Sequence, residues 1–340
     1  MAILQGSAKS SGAGAFYTKT IDQSLRLDHI RSTYLTFDPA SDGSKDNWTF
    51  STWFKRSDDS ARLLFGQGTS GSNNRDIIYL EADGTLQVAS YGGSYVFQFV
   101  TLKKFRDPSA WYHLVVSYNS ADATDTERLR IWVNGERITD FSTNTKPIQN
   151  ADTAHFGTGS PQYIGKYIDQ GTYFNGYIAE THWIDGTTYT ADAFGELKSG
   201  IWVPKEVSVT YGTNGFYLDF ADSAAIGDDE SGNGNDFTVN NLVASDVVPD
   251  SPTNNFATFN PLARSASTNL YEGNLRFNSP AASYRNVAAT IPMMPNTGKW
   301  YWEVYVETAS TSAGIVQGNP EMYRWLGGGY VLGYASTEYA

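Results

Sequence analysis

The sequence contains no cysteine. That excludes a disulfide framework and any metal site built on thiolates. Basic residues are scarce too: 24 Lys and Arg stand against 36 Asp and Glu, for a net charge of −12. No basic run is longer than pairs such as Lys103-Lys104. An acidic shell repels phosphate polymers, and nucleic-acid binders normally carry a basic face, so nucleic acid is not an expected partner. No run of about 18 apolar residues occurs, so no membrane-spanning helix and no membrane insertion are expected. The N-terminus lacks the charged-then-apolar plan of a secretory leader. Helical periodicity is short wherever it occurs.

What is present in quantity is aromatic residues and glycine. The 340 residues include 9 Trp, 22 Tyr, 18 Phe and 32 Gly. This composition suits many short strands joined by tight turns, in a chain long enough for two domains. Strands are expected at 24–27 and 34–37. In 48–55, Trp48, Phe50, Thr52 and Phe54 face one way and Trp53 the other, so both faces of that strand need cover. Leu63-Leu64-Phe65 reads as a buried strand. Residues 77–80 and 86–89 form a hairpin about Asp83-Gly84, read as a turn with positive φ at both residues. The strongest hairpin signal is 111–118, then 129–133, Asn134-Gly135 and 136–138. Further strands are expected at 163–165, 174–183 and 216–220, and a single helical turn at 192–197.

The resulting division is an extended N-terminal arm (1–23), a β domain (24–220), an irregular connector rich in Asp, Asn, Ser and Gly (221–265) and a second, partial β unit (266–340) that includes 299–306. The arm is small-residue-rich between Gly6 and Ala15 and buries too little apolar surface to order by itself. It reads either as a disordered tail or as an assembly segment that docks on a neighbouring subunit through Met1, Ile3, Leu4 and Phe16.

Several segments carry a family resemblance. Trp111-Tyr112-His113-Leu114-Val115-Val116 with 129–133 and the Asn-Gly turn resembles a hairpin of laminin-G-like and pentraxin-like jelly rolls. Tyr163-Ile164-Gly165 and Phe174-Asn175-Gly176-Tyr177-Ile178-Ala179-Glu180 resemble their later strands. The resemblance covers roughly 24–220 and implies an all-β, concanavalin A-like sandwich. A narrower likeness runs through 34–36, 48–56, 211–220 and 231–238. These resemble bacteriophage structural proteins of the virion or tail-fibre type. In that set a SPRY-like domain often follows, and Gly298-Lys299-Trp300-Tyr301-Trp302-Glu303-Val304 resembles its opening strand. The match to that domain is partial, so the domain is shortened or the chain is a piece of a longer parent. The resemblance implies a place in the virion, contacts with other virion proteins, a homo-oligomer and attachment to a host-surface glycan.

Three chemistries remain to be weighed. Glucanases of this fold place paired carboxylates on one strand face, about 5 Å apart. The nearest candidate, Glu180 to Asp185, alternates onto opposite faces, so no catalytic residue is assigned. His113 reads as a hydrogen-bonded core histidine, and none of His29, His113, His155 and His182 has a second histidine at ligand spacing. The absent nucleophile-elbow motif argues against a serine hydrolase. Calcium is the one candidate ion. Asp228, Asp229, Asn233, Asn235 and Asp236 cluster about Gly232 and Gly234, a pattern that serves either hard oxygen ligation or a self-satisfied turn. Tyr91, Tyr95, Tyr167 and Tyr173 near glycine-rich loops suit stacking on sugar C–H faces, or ordinary loop packing. Three functions compete: a phage structural or adhesion protein, a stand-alone lectin and, last, a glycan hydrolase.

Overall fold

The computed structural model describes residues 2–3, 16–69, 74–154, 157–168, 171–266, 268–278, 285–293, 301–305, 307, 315–316 and 338–339. The chain divides into a unit of Lys9–Asn255 and a second of Met1–Ala8 with Phe256–Ala340. The larger unit is an antiparallel two-sheet sandwich.

Its strands are β1 (Ser24–Leu27), β2 (Tyr34–Phe37), β3 (Asn47–Arg56), β4 (Arg62–Gly68), β5 (Arg75–Leu80), β6 (Thr85–Tyr91), β7 (Tyr95–Lys104), β8 (Tyr112–Asn119), β9 (Leu129–Val133), β10 (Glu136–Ile138), β11 (Phe141–Thr145), β12 (Gln162–Ile164), β13 (Gly176–Asp185), β14 (Gly195–Lys198), β15 (Ile201–Pro204), β16 (Phe216–Leu218), β17 (Thr238–Asn240) and β18 (Val247–Val248). The first sheet runs β10-β9-β8-β3-β13-β1-β18, with β16 also paired to β13. The second runs β11-β7-β6-β5-β4-β12-β2-β17.

Alternation explains the core. Trp48, Phe50 and Phe54 of β3 point between the sheets with Leu114, Val116 and Tyr118 of β8 and Trp183 of β13. The second sheet answers with Phe65, Ile78, Leu86, Val88, Phe97 and Phe99. Phe50, Phe65 and Trp183 stack at 4.9 and 5.3 Å, which couples the two sheets. The outward residues of the first sheet are buried as well. Trp53, Tyr177 and Ala179 pack with Ile21 and Val248, while Val115, Trp132 and Ile184 pack with Phe194 and Trp202. Segments 187–211 and 247–253 thus cover that face, which is why β3 is buried along nearly its whole length.

Four local expectations change. The turn between β5 and β6 has positive φ at Gly84 alone; Gly84 N–H bonds to the Glu81 carbonyl and Glu81 N–H to the Thr85 carbonyl. The loop therefore holds three residues, with glycine in the left-handed position of a bulge. Asn134 and Gly135, at φ 51° and 75°, do form the primed two-residue turn. Residues 192–197 are not one helical turn: a 3-10 turn at Ala191–Ala193 leads into β14, whose partner is β15. Residues 221–255 are not a mere connector. They supply β17 and β18, which pair with β2 and β1, and they place Ile226, Phe237 and Leu242 in the core. Their polar residues brace this segment instead of leaving it loose. Residues 16–23 also belong to the sandwich unit, since Ile21 is 1% exposed and its N–H bonds to Thr253 Oγ1.

The second unit begins at Phe256. Asn269–Tyr271 pairs with Arg276–Asn278, and Phe259–Arg264 with Val287–Ala289. Of the strand expected over 299–306, Val304–Tyr305 is formed, and residues 294–300 and 306 lie outside the described residues. Ala2–Ile3 pairs with Arg276 and with Val304–Tyr305, all within this unit.

Candidate functional site

The outer face of the second sheet carries an open groove of about 160 Å³. Register builds it. Asp76, Ile78 and Leu80 of β5 point inward, so Arg75, Ile77 and Tyr79 point out. Across the hairpin they face Tyr91, Ala89 and Gln87 of β6. Small Ala89 opposite Ile77 makes a low apolar floor, both being buried. The walls are tyrosines: Tyr91 meets Tyr95 edge to face at 5.0 Å, and Tyr79 meets Tyr167 likewise at 5.7 Å. The Arg75 guanidinium lies 5.4 Å from the Tyr91 ring centre. Among the described residues of the lining, Arg75 alone is charged, in a chain of net charge −12.

Three of the four tyrosines expected for a sugar site, Tyr91, Tyr95 and Tyr167, therefore meet in one groove. Tyr173 does not join them. It packs against Tyr34 at 5.9 Å, and Lys166 sits 4.5 Å from the Tyr34 ring. Sequence reading missed Arg75, Tyr79 and Gln87. Their signal was the alternation in the 77–80 and 86–89 hairpin, which places 75, 77, 79 and 87, 89, 91 on one face.

A second polar cluster lies under the segment that covers the first sheet, around a cavity of about 10 Å³. Trp202 Nε1 donates to His113 Nδ1 at 3.0 Å. An indole N–H can only donate, so Nδ1 accepts and the proton of neutral His113 is on Nε2. Nε2–H then donates to Ser51 Oγ at 3.0 Å. Burial holds His113 and His182 down at about 3, so both are neutral near pH 7. A histidine that donates to serine cannot take the serine proton, so Ser51–His113 is not an activated nucleophile.

Glu180 lies in the same cluster because β13 has a bulge. Ala179 pairs with Trp53 and His182 with Ser51, so Glu180 and Thr181 together face Thr52. Glu180 itself takes φ 48°. Its carboxylate accepts from Tyr217 Oη at 2.7 Å, lies 3.8 Å from Lys19 Nζ, and is raised by burial above the usual carboxylate range. Asp185 serves elsewhere: its carboxylate accepts the N–H groups of Ser44 and Asn214 at 2.6 and 3.1 Å. Glu180 and Asp185 thus have separate partners.

The candidate calcium residues form a brace. Asp229 accepts from the N–H groups of Tyr217, Ser231 and Asn235 and from Ser231 Oγ. Asn233 and Asn235 turn their amide nitrogens onto the carbonyl of Gly215, both at 2.8 Å. Asp236 accepts the Asp229 N–H, and Asp228 is exposed. Among the described residues no group of three or more His, Asp and Glu is arranged to hold a metal ion. Of the arm residues, Met1 and Leu4 lie outside the described residues, Ile3 pairs with Val304, and Phe16 is 38% exposed beside Tyr17. His155 also lies outside them.

The family comparison agrees with the geometry of the sandwich. Residues 30–192 match the family described as the concanavalin A-like lectin/glucanases superfamily. The fold of the sandwich unit is accordingly a laminin-G/concanavalin A-like jelly roll. Similar solved structures include a heptameric SAP-like pentraxin from Limulus polyphemus, 15% identical over 52% of this chain and 80% of that one, TM-score 0.37. They also include the mouse laminin α1 chain domains LG4-5, 12% identical over 61% and 48%, TM-score 0.36. A third is the CBM40 of the Ruminococcus gnavus IT-sialidase, 12% identical over 46% and 90%, TM-score 0.32. No curated protein sequence matches the chain.

Proposed function

We propose that the chain is a non-enzymatic adhesion component of a bacteriophage particle, holding a host-surface glycan in the tyrosine groove of the second sheet. One observation carries the binding part: three tyrosines reached by sequence reasoning converge with Tyr79, Gln87 and Arg75 on one accessible face. Tyrosine rings offer flat apolar surface to sugar C–H groups, while Gln87 and Arg75 offer hydrogen bonds to hydroxyls. The absence of catalysis rests on the proton placement at His113 and on the separate partners of Glu180 and Asp185. The particle setting rests on the likeness of segments 34–36, 48–56, 211–220 and 231–238 to virion proteins, and it brings with it other virion proteins and further copies of this chain as partners. A stand-alone lectin would use the same groove without particle association.

The test is a glycan array probed with the full chain and with Tyr91→Ala, alongside a mass inventory of purified particles. Binding by the full chain, lost in Tyr91→Ala, together with a fixed copy number per particle, is the expected result. Binding without particle association would leave the lectin reading. Release of sugar from any bound glycan would contradict the non-enzymatic assignment.

A further inference from the structure

Lys55, on the outer side of β3, is 0% exposed, and so is Asp250, in the segment that covers that face. Lys55 Nζ donates to Asp250 Oδ2 at 2.9 Å and to Asn255 Oδ1 at 2.8 Å. Two further bonds hold the partners in orientation. Trp111 Nε1 donates to Asp250 Oδ1 at 3.0 Å, and Asn255 Nδ2 donates to the Ser109 carbonyl at 2.7 Å. The Tyr177 ring closes one side, 5.7 Å from Nζ.

A buried ion pair alone is a weak stabiliser, because desolvation cancels most of the attraction. This arrangement contains more than a pair. It has an amine, a carboxyl group within proton-transfer distance of it, and a carboxamide fixed at both ends with its oxygen against the amine. Those are the parts of an acyl transfer, held together before any reaction begins.

We propose that Lys55 and Asn255 become joined by an intramolecular isopeptide bond, with Asp250 carrying the protons. Lys55 Nζ gives one proton to Asp250 and attacks Cγ of Asn255. The new Nζ–Cγ bond forms and the Cγ–Nδ2 bond breaks. Nζ keeps one of its three protons; the other two pass by way of Asp250 to Nδ2, which departs as ammonium. Nothing is oxidised or reduced, and no further reagent enters. Burial lowers the Lys55 ammonium below its ordinary value despite the opposing pull of Asp250, which favours the neutral amine the attack needs. Asn255 is exposed, so the ammonium has a way out to solvent. The bond would tie the middle of the first sheet to the last residue of the sandwich unit.

The intact mass of the purified full chain decides the matter, independently of whether any glycan binds. After incubation at neutral pH the chain is expected to be lighter than its sequence by one ammonia. A tryptic digest is expected to leave Lys55 uncleaved in a branched peptide joined to the segment holding Asn255. Lys55→Arg and Asp250→Asn are each expected to restore the full mass, a readout that does not require those variants to fold well. A wild-type chain of full sequence mass, cleaved after Lys55, overturns the proposal.

Discussion

Trp202 donates to His113 and His113 to Ser51, which fixes one tautomer of the neutral imidazole, and His182 lies beside them stacked on Tyr217 at 4.3 Å. Both histidines have folded values near 3 against 6.5 for a free imidazole, with burial as the largest cause. A depressed folded value means that the unfolded chain binds more protons between those limits. Stability contributed by the neutral histidines is therefore complete above about pH 6.5 and declines as the pH falls toward 3, by up to about 1.4 kcal/mol per pH unit for each histidine. Glu180 acts in the opposite sense. Its raised folded value gives stability that is present below the ordinary carboxylate range and lost as pH rises through that folded value. The expected net result is a thermal midpoint that drops between about pH 7.5 and pH 5, with a flatter profile in His182→Phe. A wild-type midpoint that stays level over that interval would show that the histidines are not buried as described.

At the scale of elements, the β9–β10 hairpin joins turn chemistry to the covering segment. Gly135 sits at φ 75°, and a Cβ there would lie 2.3 Å from the Trp202 ring. Gly135→Ala therefore meets backbone strain and a clash with the residue that orients His113. It is expected to destabilise by more than about 1 kcal/mol, read from denaturant unfolding. An unchanged midpoint would place Trp202 elsewhere. This hairpin was legible because Asn-Gly between two apolar runs permits few alternatives. The Asp83-Gly84 turn was misread because the dipeptide alone does not show whether Ala82 also belongs to the loop. The bulge at Glu180 left a trace. Ile178 and Trp183 both point into the core although five positions separate them, and strict alternation forbids that.

For the whole molecule, the division at 220 failed for a related reason. Asp, Asn, Ser and Gly dominate 221–255, and such a composition signals a loop when only periodicity is read. Long-range pairing decides its fate instead. Asp246, 0% exposed on its side chain, accepts from Arg26 at 2.9 Å and from Arg31, which fastens this segment to β1 and the loop after it. Removing one partner of such a buried pair leaves a charge uncompensated. Asp246→Ala is expected to cost about 3–5 kcal/mol, measured by denaturant unfolding. A cost under about 1 kcal/mol would mean the segment is an appendage after all. The groove was half legible: the tyrosines stood out by type, whereas Arg75 and Gln87 became visible only once the register of β5 and β6 was fixed.

On the proposed function, binding belongs to the tyrosine groove of the second sheet, and the covered face of the first sheet is structural. Calorimetric titration of one array-selected glycan into the full chain, into Tyr91→Ala and into His182→Phe tests that assignment most directly. The predicted result is binding by the wild type and by His182→Phe, with at least a tenfold weakening in Tyr91→Ala, about 1.4 kcal/mol. Undiminished binding by Tyr91→Ala, with loss in His182→Phe, would contradict it.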